Sequence, residues 1–238
     1  MAITTVLFDL DGTLLPMDLD VYLNRYFQLL IQKLLPHGYD PKKVVASIES
    51  AVEAMVQNDG SKTNEAAFWD SHRRIMGDRD AASSRSLLEE FYRNEFRQVR
   101  DVCGFLPEAR EIIAFCREKG LRVVLATSPL YPRIATESRI RWAGLEPEDF
   151  DFITTYEDSH YCKPNPHYYR EILTKLGLRA DACLMVGNDV REDMIAREVG
   201  LDVFLLPADL INKDNKDISQ YPKGSMRDLM AYLEKILG

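Results

Sequence analysis

The chain has 238 residues, of which 46% are hydrophobic, and it carries a formal net charge of −8 at pH 7. Its length suits one α/β domain or a core with a smaller second domain, and its apolar content is ample for a packed interior. The negative charge and the scarcity of Lys/Arg runs exclude a surface that neutralises a row of nucleic-acid phosphates, so an anionic substrate would need a metal ion or a few local cations to attract it.

No targeting segment or membrane partner is predicted. The N-terminus lacks a charged region with a cleavage site, and no apolar run approaches the roughly 18 residues that cross a bilayer. Four cysteines, Cys103, Cys116, Cys162 and Cys183, form no C-x-x-C pair and are predicted to be buried thiols. The four histidines have no ligand spacing and are expected at the surface. We therefore expect a cytoplasmic protein.

The N-terminal half begins with one strand and continues in helices. A strand is predicted over residues 3–9, and the segment VLFDLDGTLL ends it at two carboxylates, Asp9 and Asp11, before a turn at Gly12. Between about residues 17 and 99 no strand-like run occurs, and apolar residues recur at helical spacing. This region is predicted to contain four helices, with breaks at residues 36–41, 58–64 and 76–84.

The C-terminal part alternates short apolar runs with helical segments. Strands are predicted at residues 122–127, 151–156, 183–189 and 203–207, and helices at 132–143, 166–177 and 190–200. Gly120, Gly144, Gly177 and Gly200 follow predicted helices, where a left-handed C-cap favours glycine. We therefore predict an α/β fold, in which a Rossmann-like, doubly wound parallel sheet (residues 1–16 and 100–238) carries an inserted all-helical cap (residues 17–99).

The polar residues of the predicted core gather where its strands end. They are Asp9, Asp11, Thr127, Ser128, Lys163, Asn188, Asp189 and Asp193. In an open parallel sheet, ligands bind beyond the carboxyl ends of the strands. Carboxylates brought within a few ångströms of one another repel, so they either take up protons or share a divalent cation. Mg²⁺ suits carboxylate and carbonyl oxygens, and it would admit a phosphate despite the negative field of the protein.

Four short motifs carry a family resemblance. DLDGT after the first strand, then LATS, KPNP and GNDVRED, resemble in this order the four signatures of the haloacid dehalogenase (HAD) superfamily of hydrolases. The resemblance covers the whole chain, with the helical insert in the place of the cap, and it is to phosphatase-type members similar to phosphoglycolate phosphatases. It implies an Mg²⁺-dependent hydrolase that acts on a small phosphorylated metabolite, a phosphate monoester, through an aspartyl phosphate.

The resemblance also assigns roles residue by residue. Asp9 would attack phosphorus. Asp11 would protonate the leaving oxygen and then activate water, while its main-chain carbonyl binds the metal. Thr127 and the main-chain N–H of Ser128 would hold the phosphoryl oxygens, and Lys163 would neutralise the charge that spreads over them.

The fourth motif departs from the usual Gly-Asp of the family. It reads Gly187-Asn188-Asp189, so the metal ligand is either Asp189, with Asp193 four residues on, or Asn188, with Asp193 five residues on. We favour Asp189, because a carboxylate serves a hard cation better than an amide does. Asp193 is then an outer-shell partner of Lys163. Taken singly, Asp189 is equally typical of a helix N-cap.

Two other functions remain open at this point. A sugar phosphomutase would use the same two aspartates, and a binding module would hold a phosphorylated metabolite without turnover. The presence of Asp11 favours the phosphatase over members of the family that have no alkoxide to protonate. Specificity is expected in the cap, where Tyr22, Arg25 and the loop at 58–64 are polar candidates, although a solvated turn explains that loop equally well.

Overall fold

A five-stranded parallel sheet forms the centre of the molecule in this computed structural model, which describes residues 2–238. The strands are β1 (Thr5–Phe8), β2 (Arg122–Leu125), β3 (Phe152–Ile153), β4 (Cys183–Gly187) and β5 (Asp202–Leu205). Their spatial order is β3-β2-β1-β4-β5. Each lies within or beside a predicted strand, although β3 is only two residues long, and the predicted α/β fold is confirmed.

Strand β1 lies in the middle of the sheet. Thr5 pairs with Arg122 on one side and with Cys183 on the other, and the pairing continues to Phe8. All four β1 residues are buried, because helices cover both faces of the sheet. This register brings the loops after β1, β2 and β4 to the same edge.

Helices α5 (Pro107–Glu118), α6 (Arg133–Trp142), α7 (Pro166–Leu176) and α8 (Met226–Leu237) accompany the sheet. Alternate β1 side chains enter two separate apolar clusters: Val6 and Phe8 belong to the one that includes residues of α5 and α8, and Leu7 to the one that includes residues of α7. The sheet is therefore doubly wound, as predicted.

Four helices separate β1 from α5, as expected. They are α1 (Leu19–Leu34), α2 (Pro41–Val56), α3 (Asn64–Met76) and α4 (Asp78–Arg93), followed by a 3-10 helix at Glu95–Val102. Side chains of Asp18, Asp40 and Thr63 accept hydrogen bonds from the first turns of α1, α2 and α3. We call α1–α4 the cap; its proposed limits at residues 17 and 99 stay a prediction.

The predicted break at 76–84 is wrong in extent. Only Gly77, at φ 86°, separates the two helices: α3 ends at Met76 and α4 begins at Asp78. Acidic residues in the first turn, Asp78 and Asp80, favour a helix start here, because the N-terminal end of a helix carries partial positive charge.

The predicted helix at 190–200 is also wrong, since only a 3-10 helix at Met194–Val199 forms. The Asp189 carboxylate accepts hydrogen bonds from the N–H groups of Arg191 and Glu192 at 2.7 and 2.9 Å. The Asp193 carboxylate accepts one from the Asp189 N–H at 2.9 Å. The Asp193 N–H also donates to the Asp189 carbonyl at 2.9 Å, so residues 189–193 form one capped turn that continues as a 3-10 helix.

Cysteine and histidine positions partly follow expectation. All four cysteines are free thiols, and three are buried while Cys103 is partly exposed. His37 and His167 are exposed, but His72 is only 2% exposed, so the surface prediction is wrong for it. Within residues 2–238, no helix combines the length and the apolar character needed to cross a membrane.

Candidate active site

The predicted site residues converge at the carboxyl edge of the sheet. A cavity of about 380 Å³ lies there, beneath the cap. Among the predicted residues, those that line it are Asp9, Asp11, Thr127, Ser128, Asn188, Asp189 and Asp193. Lys163, the remaining one, contacts two of them. The motifs therefore meet in space as the order of the strands requires.

Lys163 is the buried cation of the site. Its Nζ donates to Asp9 Oδ1 at 2.8 Å and to Asp193 Oδ1 at 2.6 Å, and the residue is only 1% exposed. Burial by itself lowers the pKa of Lys163, but the charges of Asp193 and Asp9 raise it well above its ordinary value. The ammonium group thus stays charged and fixes the Asp9 carboxylate, and the expected contact between Asp193 and Lys163 is present.

Asp11 pairs with an arginine that the sequence analysis did not single out. Arg139 of α6 is fully buried, donates to Asp11 Oδ2 and stacks its guanidinium 4.3 Å from the centre of the Tyr131 ring. The other oxygen, Asp11 Oδ1, is buried and without a hydrogen-bond partner among the described residues. Burial raises the pKa of the Asp11 carboxyl, and Arg139 opposes that rise only in part.

The loop after β1 is held against the loop after β4. Gly12 has φ 79°, and a Cβ there would lie 2.3 Å from the Asn188 side-chain nitrogen, so the turn requires glycine. The Asn188 amide accepts from the Thr13 hydroxyl at 3.1 Å and donates to the Asp209 carbonyl at 2.6 Å. Both ends of the Asn188 amide are thus used within the protein.

Asp189 lines the cavity with one carboxylate oxygen uncommitted. Its Oδ1 accepts the two main-chain hydrogen bonds that shape residues 190–192, as an N-cap would. Its Oδ2 has no hydrogen bond within the described part of the chain. Close packing supports this loop from below, because a Cβ on Gly187 would lie 2.1 Å from the Asp193 carboxylate.

Thr127 and Ser128 follow β2. The Thr127 carbonyl accepts from the hydroxyls of Thr154 and Tyr168 at 2.6 and 2.9 Å, which fixes the backbone at the strand end. The Ser128 hydroxyl is buried at the cavity and has no partner among residues 2–238. A ligand with oxygen acceptors would satisfy it.

Two further site features went unpredicted. Glu192, inside the GNDVRED motif, lines the cavity, and burial raises its pKa to about 7. The segment after β5 reaches the site through Asp209, Ile211 and Lys213, and Ile211 exchanges main-chain hydrogen bonds with Asn188 and Val190. The motif contained Glu192, but neither periodicity nor spacing marked Arg139 or the 209–213 segment.

The oxygen atoms available at the site suit a magnesium ion that is held by only a few protein ligands. Within residues 2–238, no three His, Cys, Asp or Glu side chains form a cluster that would hold a metal ion. The Asp11 carbonyl accepts no main-chain hydrogen bond from the described residues, and Asp9 and Asp189 each keep one oxygen without a hydrogen bond among them. Two carboxylates, one carbonyl and waters match the way proteins usually hold Mg²⁺.

Most of the polar cap candidates lie away from the cavity. Tyr22 lines it, whereas Arg25 donates to the exposed Gln28. The 58–64 loop instead joins the cap to the core: the Asn64 side chain donates to Cys162 Sγ at 3.2 Å, and its N–H donates to the Ser159 carbonyl at 2.8 Å. No residue of that loop lines the cavity, and its bonds to the core show that it is not a free solvated turn.

Comparisons with known proteins agree with this architecture. The model of the haloacid dehalogenase-like hydrolases matches residues 3–200. Hexitol phosphatase B of Escherichia coli O157:H7 is 26% identical over 158 residues, which cover 63% of this chain and 68% of the relative. Pyrophosphatase PpaX of Bacillus cereus AH820 is 25% identical over 238 residues, 100% of this chain and 97% of the relative.

Among solved structures, the HAD-hydrolase YfnB of Bacillus subtilis, described as bound to magnesium, superposes with a TM-score of 0.58 at 17% identity, covering 98% of this chain and 99% of YfnB. With the family match, this likeness confirms the predicted fold. The chain belongs to the haloacid dehalogenase-like hydrolase family. The prediction of a HAD-type phosphatase is confirmed at the level of the class, since the relatives above are named phosphatase and pyrophosphatase.

Proposed function

We propose that the protein is an Mg²⁺-dependent hydrolase of small phosphate monoesters, and that Asp9 forms a transient aspartyl phosphate. The observation that carries the proposal is the buried Lys163 ammonium, which lies 2.8 Å from Asp9 Oδ1 and is itself held by Asp193. A carboxylate held in place by a buried ammonium beside a cavity is equipped to attack phosphorus.

Asp11 acts as the acid and base. As Asp9 forms its bond to phosphorus, the bond to the ester oxygen breaks, and that oxygen takes a proton from Asp11. A water then attacks phosphorus in the aspartyl phosphate and gives a proton to Asp11. The bond between Asp9 and phosphorus breaks, so inorganic phosphate is released and the Asp9 carboxylate is restored. The unpartnered Asp11 Oδ1 and the raised pKa of this carboxyl support the role, while Arg139 holds the other oxygen in place.

The phosphoryl oxygens are held by Thr127, by Ser128 and by Lys163. The free Ser128 hydroxyl supports this assignment, as does the fixed carbonyl of Thr127. Asp9, the Asp11 carbonyl and Asp189 would hold the magnesium ion. When bound, it supplies positive charge that draws the phosphoryl group toward Asp9.

The test is phosphate release from p-nitrophenyl phosphate in the presence of Mg²⁺. We expect Asp9→Asn to abolish turnover and Asp11→Ala to slow it by about 10²- to 10⁴-fold, the usual contribution of a proton-transferring group. Asp214→Asn, an exposed aspartate on the loop after β5, serves as the matched control and should turn over normally.

Unchanged turnover with Asp9→Asn would refute the nucleophile. Isomer formation from a sugar phosphate without net phosphate release would instead identify a mutase.

A further inference from the structure

The cap wall of the cavity is apolar. Leu23 and Phe27 of α1, Ile48 and Val52 of α2 and Phe68 of α3 all line it. Among the described residues that line the cavity, none of those contributed by α1–α4 is charged or carries an amide, and the only polar atoms on their side chains are tyrosine hydroxyls. The part of a substrate that points away from the sheet therefore meets hydrocarbon.

The tyrosine hydroxyls offer few hydrogen bonds to a ligand. Tyr26 Oη and Tyr92 Oη lie 2.9 Å apart and bond to each other, so their rings face the cavity while their polar ends are occupied. Tyr22 Oη is buried and has no partner within residues 2–238. A polyol chain has several hydroxyls, and most of them would lose their bonds to water without replacement.

The charges around the cavity also disfavour a second phosphate. Lys213 is the single cation among the described residues that line it, and this residue is exposed on the loop after β5. Lys163 is already held by Asp9 and Asp193. A diphosphate would place its outer phosphate against the apolar cap, where no cation of the cap faces it.

We infer that the natural substrate is the phosphate ester of an apolar alcohol, aromatic or branched aliphatic, and not of a polyol, nor a diphosphate. This inference rests on the proposed phosphatase function. It sets the protein apart from what the names of its hexitol phosphatase and pyrophosphatase relatives indicate for those proteins. The cavity of about 380 Å³ bounds the size of the ester.

A series of primary esters tests the inference, because their leaving oxygens differ little in basicity. We expect kcat/KM for n-alkyl phosphates to rise about fourfold per methylene until the cavity is filled, and 2-phenylethyl phosphate to exceed sorbitol 6-phosphate by about 100-fold. Equal values, or a preference for sorbitol 6-phosphate or pyrophosphate, would overturn the inference and leave the phosphatase standing. Failure to release phosphate from any ester, p-nitrophenyl phosphate included, would overturn both.

A pair of nearly isosteric variants localises the effect. Val52→Thr places a hydroxyl in the cavity wall, and we expect the ratio of kcat/KM for 2-phenylethyl phosphate over methyl phosphate to fall about three- to tenfold. Val45→Thr makes the same change on α2 away from the cavity and should leave the ratio unchanged. Thermal unfolding of both variants serves to check that they are folded. An unchanged ratio in Val52→Thr, or an equal fall in Val45→Thr, would overturn the inference.

Discussion

At the scale of single residues, the two candidate metal ligands differ in the hydrogen bonds that their side chains make within the protein. Asn188 uses both ends of its amide to join the loops after β1 and β5, whereas Asp189 keeps one oxygen uncommitted at the cavity. The sequence motif alone permitted either assignment. The geometry supports the proposal that the carboxylate binds the ion and the amide supports the loop.

Asp189→Asn should therefore weaken magnesium binding while preserving the main-chain hydrogen bonds of residues 191 and 192. We expect the Mg²⁺ concentration for half-maximal stabilisation in a thermal shift titration to rise at least about tenfold. Asn188→Ala should lower the melting temperature with a smaller change in that concentration. An unaltered Mg²⁺ concentration for half-maximal stabilisation in Asp189→Asn would assign the metal to Asn188.

Arg139 is the second residue whose role depends on its surroundings. Removing one partner of a buried ion pair leaves the other charge without compensation, so we expect Arg139→Met to lower the free energy of unfolding by about 3 kcal/mol. Urea titration measures this. Arg141→Met, on the exposed side of the same helix, should change stability by less than about 0.5 kcal/mol, because exposed ion pairs contribute little. Similar losses in the two variants would contradict the structural role of Arg139.

At the scale of elements, α3 and α4 are joined by a buried histidine. His72 Nε2 lies 2.8 Å from the Ser84 hydroxyl, and the ring stacks on Phe68. Its Nδ1 is buried without a partner among the described residues. Burial lowers the pKa of His72 to about 4, so the cap requires the neutral ring.

This histidine makes the cap sensitive to acid. The unfolded chain takes up a proton near the ordinary pKa of about 6.5, but the folded chain does so only near 4. The neutral His72 ring therefore makes its full contribution to the free energy of unfolding above pH 6.5. As the pH falls toward 4, the free energy of unfolding decreases by about 2 to 3 kcal/mol. Urea unfolding at several pH values should show a shallower decline in His72→Phe, while His37→Gln, at an exposed site, should follow the wild type.

The elements also show why some of the fold was predictable from sequence. Strand β4 is a run of five buried residues followed by a motif. Such a strand can be predicted from sequence, because a strand that is covered on both faces must be apolar throughout. Residues 190–200 have a helical apolar pattern but form turns and a 3-10 helix, in which the Asp193 carboxylate bonds to Lys163 and to the Asp189 N–H; a pattern of hydrophobicity does not report such contacts. Arg139 was missed because the burial of a charge is decided by a partner distant in sequence.

At the scale of the whole molecule, the cap is fastened to the core by the 58–64 loop. Asn64 is fully buried and bonds to Cys162 and to the main chain at Ser159, next to the segment that carries Lys163. Asn58 supports it with a hydrogen bond of 2.8 Å to its side-chain oxygen. The position of the cap is thus linked to the loop that holds the buried cation.

Asn64→Ala should loosen this fastening. We expect stability to fall by about 1 to 2 kcal/mol, the loss from leaving buried partners unsatisfied, and main-chain amides of residues 156–163 to exchange faster with deuterated water. Asn94→Ala, at an exposed position directly after α4, is the control and should match the wild type. Unchanged exchange at 156–163 in Asn64→Ala would show that other contacts hold the cap in place.

The central place of β1 also governs the order in which the molecule can be assembled. Because Thr5 pairs with Arg122 and Cys183, β1 can enter the sheet only when strands from much later in the chain are available to pair with it. The intervening helices make mainly local contacts and can gather earlier, since nearby segments meet faster than distant ones. Asp9 and Asp11 thus lie far before Arg139 and Lys163 in the sequence, and the four side chains become neighbours only when these distant segments meet.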